Sequence, residues 1–105
     1  MENLSVDEWK ASFEKNNDST IIDVRTPMEW DSGIINEALT IDFNKQLDFI
    51  NFIKTLDSSK SYYVYCKSGV RSWHACQMME HMGLSTFNLK NGINQWDGPL
   101  TRLSF

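Results

Sequence analysis

The sequence is poor in cysteine, proline and glycine, with two, two and five of these among its 105 residues. Two cysteines are too few to staple a small secreted domain, and we expect both to be free thiols in a reducing compartment. So little proline and glycine excludes a collagen-like or low-complexity chain. The sequence also lacks an apolar run that could span a membrane and the basic and apolar regions of a signal peptide. These absences predict a cytoplasmic globular protein.

An excess of basic residues is also missing. Ten Lys and Arg residues against 14 Asp and Glu residues leave a net charge of −4, and no basic stripe is visible. We therefore expect neither a nucleic-acid partner nor a membrane partner. The length fits one domain over residues 1–105, and a hydrophobic content of 41% is enough for a core.

Hydrophobic periodicity predicts strands that alternate with helices. Ser5 with Glu8 and Thr26 with Glu29 form two capping-box patterns, each of which marks a helix start. The predicted strands cover residues 20–24, 38–42, 62–65 and 86–89. The predicted helices cover about residues 6–16, 27–32, 45–56, 71–82 and 93–97. This alternation is typical of an α/β fold, with a parallel sheet and helices on both faces.

One segment stands out for its chemistry, since a predicted strand delivers Cys66 into a short loop that Arg71 closes at a helix start. Converging backbone N–H groups and the helix N-terminus would favour an ionised sulfur and hold an anion beside it. Gly69 permits close backbone approach, and Arg71 offers two parallel donors to an oxyanion. Two further hydroxyl donors could come from Ser68 and Ser72.

The remaining cysteine and the histidines have plainer interpretations. Cys76 lies on an apolar helix stripe, so core packing is expected, with a resolving disulfide to Cys66 as a minor alternative. His74 and His81 do not combine with the cysteines at any familiar zinc spacing, and we expect exposed histidines and no metal.

Three blocks in register resemble those of rhodanese-like sulfurtransferases. Residues 66–72 resemble the family's active-site loop. Residues 21–30 are similar to its Asp-Val-Arg followed by Glu-Trp, and residues 91–96 to its Gly followed four residues later by Trp. The resemblance implies a five-stranded parallel sheet flanked by helices on both faces, with a first strand near residues 3–4.

The resemblance also implies a ping-pong reaction without a cofactor. Cys66 would take the outer sulfur of an anionic donor such as thiosulfate and pass it, from a persulfide, to a thiol, cyanide or an acceptor protein. Asp23 and Arg25 match the family's structural pair, and an ion pair between Arg25 and Glu29 is expected. The residues implied to bind substrate are Lys67, Ser68, Gly69, Val70 and Arg71.

The length of the cysteine loop distinguishes sulfurtransferases from cysteine phosphatases. Four residues lie between Cys66 and Arg71, whereas cysteine phosphatases have a longer loop with five. We therefore expect sulfur transfer, with a persulfide carrier or protein-binding module as the alternative and a phosphatase or arsenate reductase as a weaker one. Residues 33–38 depart from the family's frequent Gly-His-Ile-Pro-Gly-Ala, which leaves the shape of that segment and of the adjoining pocket rim open.

Overall fold

A computed structural model describes residues 1–103. The strands are β1 (Glu2–Leu4), β2 (Ser19–Asp23), β3 (Ile34–Ile35), β4 (Leu39–Thr40), β5 (Ser61–Tyr65), β6 (Ser85–Leu89) and β7 (Leu100–Thr101). The helices are α1 (Val6–Lys15), α2 (Pro27–Trp30), α3 (Gln46–Ile53) and α4 (Val70–His81), with a 3-10 helix at Gly92–Gln95. No helix in this part of the chain has the length and apolar content needed to cross a membrane.

Five strands form one parallel sheet in the order β1-β6-β5-β2-β4. This arrangement confirms the predicted fold class, including the edge strand β1 that only the family resemblance indicated. The central strand β5 is hydrogen-bonded to a neighbour on each side. The chain segment that follows β5 therefore emerges near the middle of the sheet, between the ends of two other strands.

Side chains on alternate positions of β5 build two separate cores. Tyr62 and Val64 join one core, to which α3 and α4 contribute, while Tyr63 and Tyr65 join the other, to which α1 contributes Trp9. The sheet is therefore covered by helices on both faces, as predicted. Trp9 is buried edge-on against the rings of both tyrosines and of the half-buried Trp96.

Several element boundaries differ from their predictions. Both capping boxes form. The strand predicted over 38–42 shortens to two residues, and the last predicted helix is a single 3-10 turn. An antiparallel pair of β3 with β7 was not predicted, because two-residue strands carry no readable periodicity.

The strand order creates a switch point between β2 and β5. From β2 the chain crosses to β4 on one side, and from β5 it crosses through α4 to β6 on the other side. Ligands of open α/β sheets bind at such points, outside the carboxyl ends of the strands. Asp23 ends β2 and Cys66 follows β5, so both residues lie at this point.

Candidate active site

The loop between β5 and α4 places Cys66 at the start of a 12-residue helix. Its side chain is fully buried, and the sulfur accepts two hydrogen bonds, one from the Gly69 N–H at 3.1 Å and one from the Ser72 hydroxyl at 3.3 Å. Both donors belong to the first turn of α4 or to its N-cap. Donors aimed at sulfur, together with the positive end of the helix, stabilise negative charge on that atom.

Gly69 makes this turn possible because it has no side chain. Its φ of +95° is left-handed, and a Cβ there would lie 2.1 Å from the carbonyl oxygen of Lys90. No other residue fits without displacing the chain after β6. The positive φ expected at Gly69 is thereby confirmed, while its close approach to a ligand stays a prediction.

A second glycine, Gly92, allows the 3-10 helix to pack against the loop that carries Cys66. The N–H groups of Ile93 and Asn94, in the 3-10 helix, donate to the carbonyls of Cys66 at 2.9 Å and Lys67 at 3.2 Å. Gly92 has a φ of +66°, and a Cβ there would lie 2.3 Å from the Lys67 carbonyl oxygen. An Asn-Gly dipeptide is typical of a turn, but nothing in the sequence indicates that this turn supports the cysteine loop.

Asn88 on β6 is a site residue that sequence reasoning missed. The side chain is buried, and its amide donates to the Gly69 carbonyl at 3.1 Å and to the Asn3 side chain at 2.9 Å. It thus joins β1, β6 and the loop. The only signal in the sequence was an amide at a strand position that faces the interior.

The residues expected to bind substrate are spread around the loop. Lys67 and Ser68 are exposed, Gly69 is buried, and Val70 is 61% exposed. A cavity of about 380 Å³ opens beside the loop, and its walls comprise Asn3, Gly69, Val70, Trp73, Lys90 and Asn91.

Arg71 is bound to a carboxylate. Its two terminal nitrogens donate to the two oxygens of Glu29 at 2.8 and 2.9 Å. The predicted ion pair of Arg25 with Glu29 is therefore wrong. Arg25 contacts Glu29 at its backbone carbonyl, at 3.3 Å, and not at its carboxylate. The hydrogen bond from Arg71 lowers the pKa of Glu29 to about 2, and it raises the pKa of Arg71 in return.

Asp23 and Arg25 form a buried pair beside the loop. Arg25 donates to Asp23 at 2.7 Å, and the Tyr65 hydroxyl donates to the same carboxylate at 2.6 Å. Arg25 also binds the carbonyl of Gly33, and Tyr65 accepts from the N–H of Ile35. Burial raises the pKa of Tyr65. The pair thus ties the end of β2 to β5 and to residues 33–35, the segment whose shape was left open.

Cys76 is a core residue, as predicted. It is fully buried on α4, and burial raises its pKa to about 12, so the thiol stays neutral and unreactive. Cys66 and Cys76 are both free. His74 and His81 are exposed, as expected.

Comparison with known proteins agrees with this arrangement. The rhodanese-like domain matches residues 5–98. YtwF of Bacillus subtilis, provisionally named a sulfurtransferase, is 32% identical over 90% of this chain and 89% of its own length. The sulfurtransferase of Allochromatium vinosum is 32% identical over 75% of this chain and 72% of its own length.

A solved structure shows the same fold. The rhodanese-like domain protein of Staphylococcus aureus superposes with a TM-score of 0.85, at 27% identity, over 99% of this chain and all of the other. Taken with the relatives' names, this likeness supports sulfur transfer as the general activity. The chain belongs to the rhodanese-like domain family.

Proposed function

We propose that the protein is a sulfurtransferase in which Cys66 carries the transferred sulfur as a persulfide. The observation that carries the proposal is the pair of donors on the Cys66 sulfur, from the Gly69 N–H and the Ser72 hydroxyl, at the N-terminus of α4. A thiolate held in this way is a nucleophile that needs no general base. The free thiols suit a reducing location such as the cytoplasm.

In the first step the Cys66 thiolate attacks the outer sulfur of a donor such as thiosulfate. A new S–S bond forms, the donor's own S–S bond breaks, and sulfite leaves with the electron pair. The product is a persulfide anion on Cys66, which conserves charge. Because the Cys66 sulfur is buried at rest, the loop has to open before a donor can reach it.

In the second step an acceptor attacks the terminal sulfur of the persulfide. A thiolate acceptor becomes a persulfide, and cyanide becomes thiocyanate. The electron pair of the breaking bond returns to Cys66 as a thiolate. The donors that stabilised the attacking thiolate now stabilise it as the leaving group, so one set of hydrogen bonds serves both steps.

The surrounding loop binds the donor and the persulfide in this proposal. Backbone N–H groups of residues 67–71 surround the terminal sulfur, and the exposed Lys67 attracts an anionic donor. Asp23 and Arg25 act as structural support. Small thiols, cyanide or an acceptor protein can approach once the loop has opened.

Phosphate hydrolysis fits this site less well. A phosphatase needs its loop arginine for the phosphate, whereas Arg71 is bound to Glu29. It also needs a carboxylic acid for the leaving group, and the nearby Asp23 already accepts hydrogen bonds from Arg25 and Tyr65.

The test is the intact mass of the protein after incubation with thiosulfate and then with cyanide. We expect a gain of one sulfur atom, about 32 Da, on the native protein, and its removal by cyanide. Cys66→Ser should gain nothing, and Cys76→Ser, which removes the buried thiol, should behave like the native protein.

Each other outcome has a defined meaning. Sulfur that loads but leaves only stoichiometrically, without turnover, would indicate a persulfide carrier. A gain retained in Cys66→Ser would contradict the proposal. Hydrolysis of an aryl phosphate that is lost in Cys66→Ser would assign the site to a phosphatase.

A further inference from the structure

Arg71, the cation expected to hold an anionic donor, is already occupied in this structure. Both of its terminal nitrogens bind Glu29, at 2.8 and 2.9 Å. The two side chains are 29% and 25% exposed, so water screens the pair only in part. A bidentate pair in such surroundings is stronger than an open surface contact.

Glu29 is held in place from its other side. The backbone N–H and the hydroxyl of Thr26 donate to the same carboxylate at 3.2 and 3.0 Å, which completes the capping box of α2. Arg25 holds the backbone carbonyl of the same residue. Because the carboxylate is fixed, it offsets the charge of Arg71 and stays beside any anion that the remaining N–H groups of Arg71 bind.

The Glu29–Arg71 pair lowers the attraction of the site for anionic donors. A small dianion such as thiosulfate meets a guanidinium whose charge is offset by Glu29, and it is repelled by the fixed negative charge of that carboxylate. A donor that carries a single negative charge, such as an alkyl persulfide anion, is repelled less. The site is therefore less attractive to anions than the sequence alone suggests.

We propose that Glu29 is a specificity-determining residue, which disfavours small dianionic sulfur donors relative to donors that carry a single negative charge. The role of Glu29 in catalysis rests on the sulfur transfer proposed above. Its physical content, a carboxylate that competes with an anion for Arg71, can be measured without any turnover.

The first measurement is a titration of Cys66→Ser protein, which cannot react, with thiosulfate. Binding is monitored by the NMR signals of the amides of residues 67–71. Adding Glu29→Gln should lower the Kd of thiosulfate about fivefold, because the amide keeps the helix cap but leaves Arg71 available. The matched control is Asp31→Asn, which removes the same charge two residues away at an exposed position. It should change the Kd less than about twofold.

The second measurement compares how fast the Cys66 proteins load sulfur from thiosulfate, a dianion, and from hydroxyethyl persulfide, which carries a single negative charge. Glu29→Gln should raise the rate with thiosulfate relative to the rate with the singly charged persulfide. Asp31→Asn should leave this ratio unchanged.

The two measurements separate the failure of the inference from that of sulfur transfer. An unchanged Kd in Glu29→Gln, or no binding to either protein, overturns the role of Glu29. So does an unchanged ratio of loading rates in proteins that do load. If no protein loads sulfur but Glu29→Gln still binds thiosulfate more tightly, the charge competition stands and sulfur transfer fails.

Discussion

Gly92 shows how one residue without a side chain supports the cysteine loop. We expect Gly92→Ala to destabilise the protein by about 2 to 4 kcal/mol, because the new methyl group would lie 2.3 Å from the Lys67 carbonyl oxygen. The loop has to shift, and with it the donors to Cys66. Urea unfolding and the rate of persulfide loading measure the two effects, and we expect loading to slow at least about tenfold.

Gly83 offers a matched control for this change. Its φ of +85° is also left-handed, but a Cβ there would meet nothing within 4 Å. Gly83→Ala should cost only the backbone strain, about 1 kcal/mol, and leave loading unchanged. Equal losses of stability in the two variants would show that the contact with Lys67 is unimportant.

Single residues also mark the limit of what the sequence can predict. Cys66 and Gly69 could be recognised because a strand, a cysteine and a glycine stand in one short segment. The partners of Arg71 and Gly69 could not, because Glu29 and Asn88 lie 42 and 19 positions away from them. Spacing along the chain carries no information about such contacts, and for this reason Glu29 was paired with Arg25 rather than with Arg71.

At the scale of elements, the capping box of α2 has a role beyond helix stability. Thr26→Ala should destabilise the protein by about 1 kcal/mol, as expected for loss of an N-cap. It should also loosen Glu29, whose carboxylate Thr26 holds. We expect NMR titration of Cys66→Ser protein with thiosulfate to show this loosening. The Kd of Thr26→Ala should be lower than that of the protein with Thr26 and higher than that of Glu29→Gln.

The first capping box of the chain serves as a control. Ser5→Ala removes the equivalent cap of α1, where Glu8 is exposed and contacts no arginine. We expect a similar loss of stability and no change in thiosulfate binding. Tighter binding in Ser5→Ala would mean that general loosening of the protein, rather than Glu29, sets the affinity.

The elements that the sequence predicts well are those with many repeats of a pattern. The helix α4 and the central strand β5 begin and end within about one residue of their expected limits, which is the usual uncertainty of such boundaries. The pair of β3 with β7 was missed, because residues 34–35 and 100–101 each contribute two apolar positions at most. Their pairing depends on tertiary contacts, among them the bond from the Ile35 N–H to Tyr65.

At the scale of the whole molecule, the sheet order decides where the site lies. The alternation of helices and strands indicated a parallel sheet, but the order β1-β6-β5-β2-β4 came from the structure alone. Parallel neighbours are far apart in the chain, so local patterns cannot identify them. The order matters because it brings the ends of β2 and β5 together, and with them Glu29 and Arg71.

The Glu29–Arg71 pair joins the two sides of the switch point, and we expect it to make the stability of the whole protein depend on pH. The pKa of Glu29 is about 2 in the folded protein against an ordinary value of 4.5. A pKa lowered by folding gives stability that is present above about pH 4.5 and is lost as the pH falls toward 2. Arg71 stays charged throughout this range.

Glu29→Gln isolates this contribution. At pH 6 the variant should be roughly 1 to 2 kcal/mol less stable than the native protein, a value reduced for partial exposure of the pair. Urea unfolding between pH 6 and pH 2.5 should show that difference shrinking as Glu29 takes up a proton. Glu8 and Asp57, whose pKa values are also lowered, lose their contributions equally in both proteins and cancel. A difference that stays constant with pH would mean that the pair is not what joins α2 to α4 in solution.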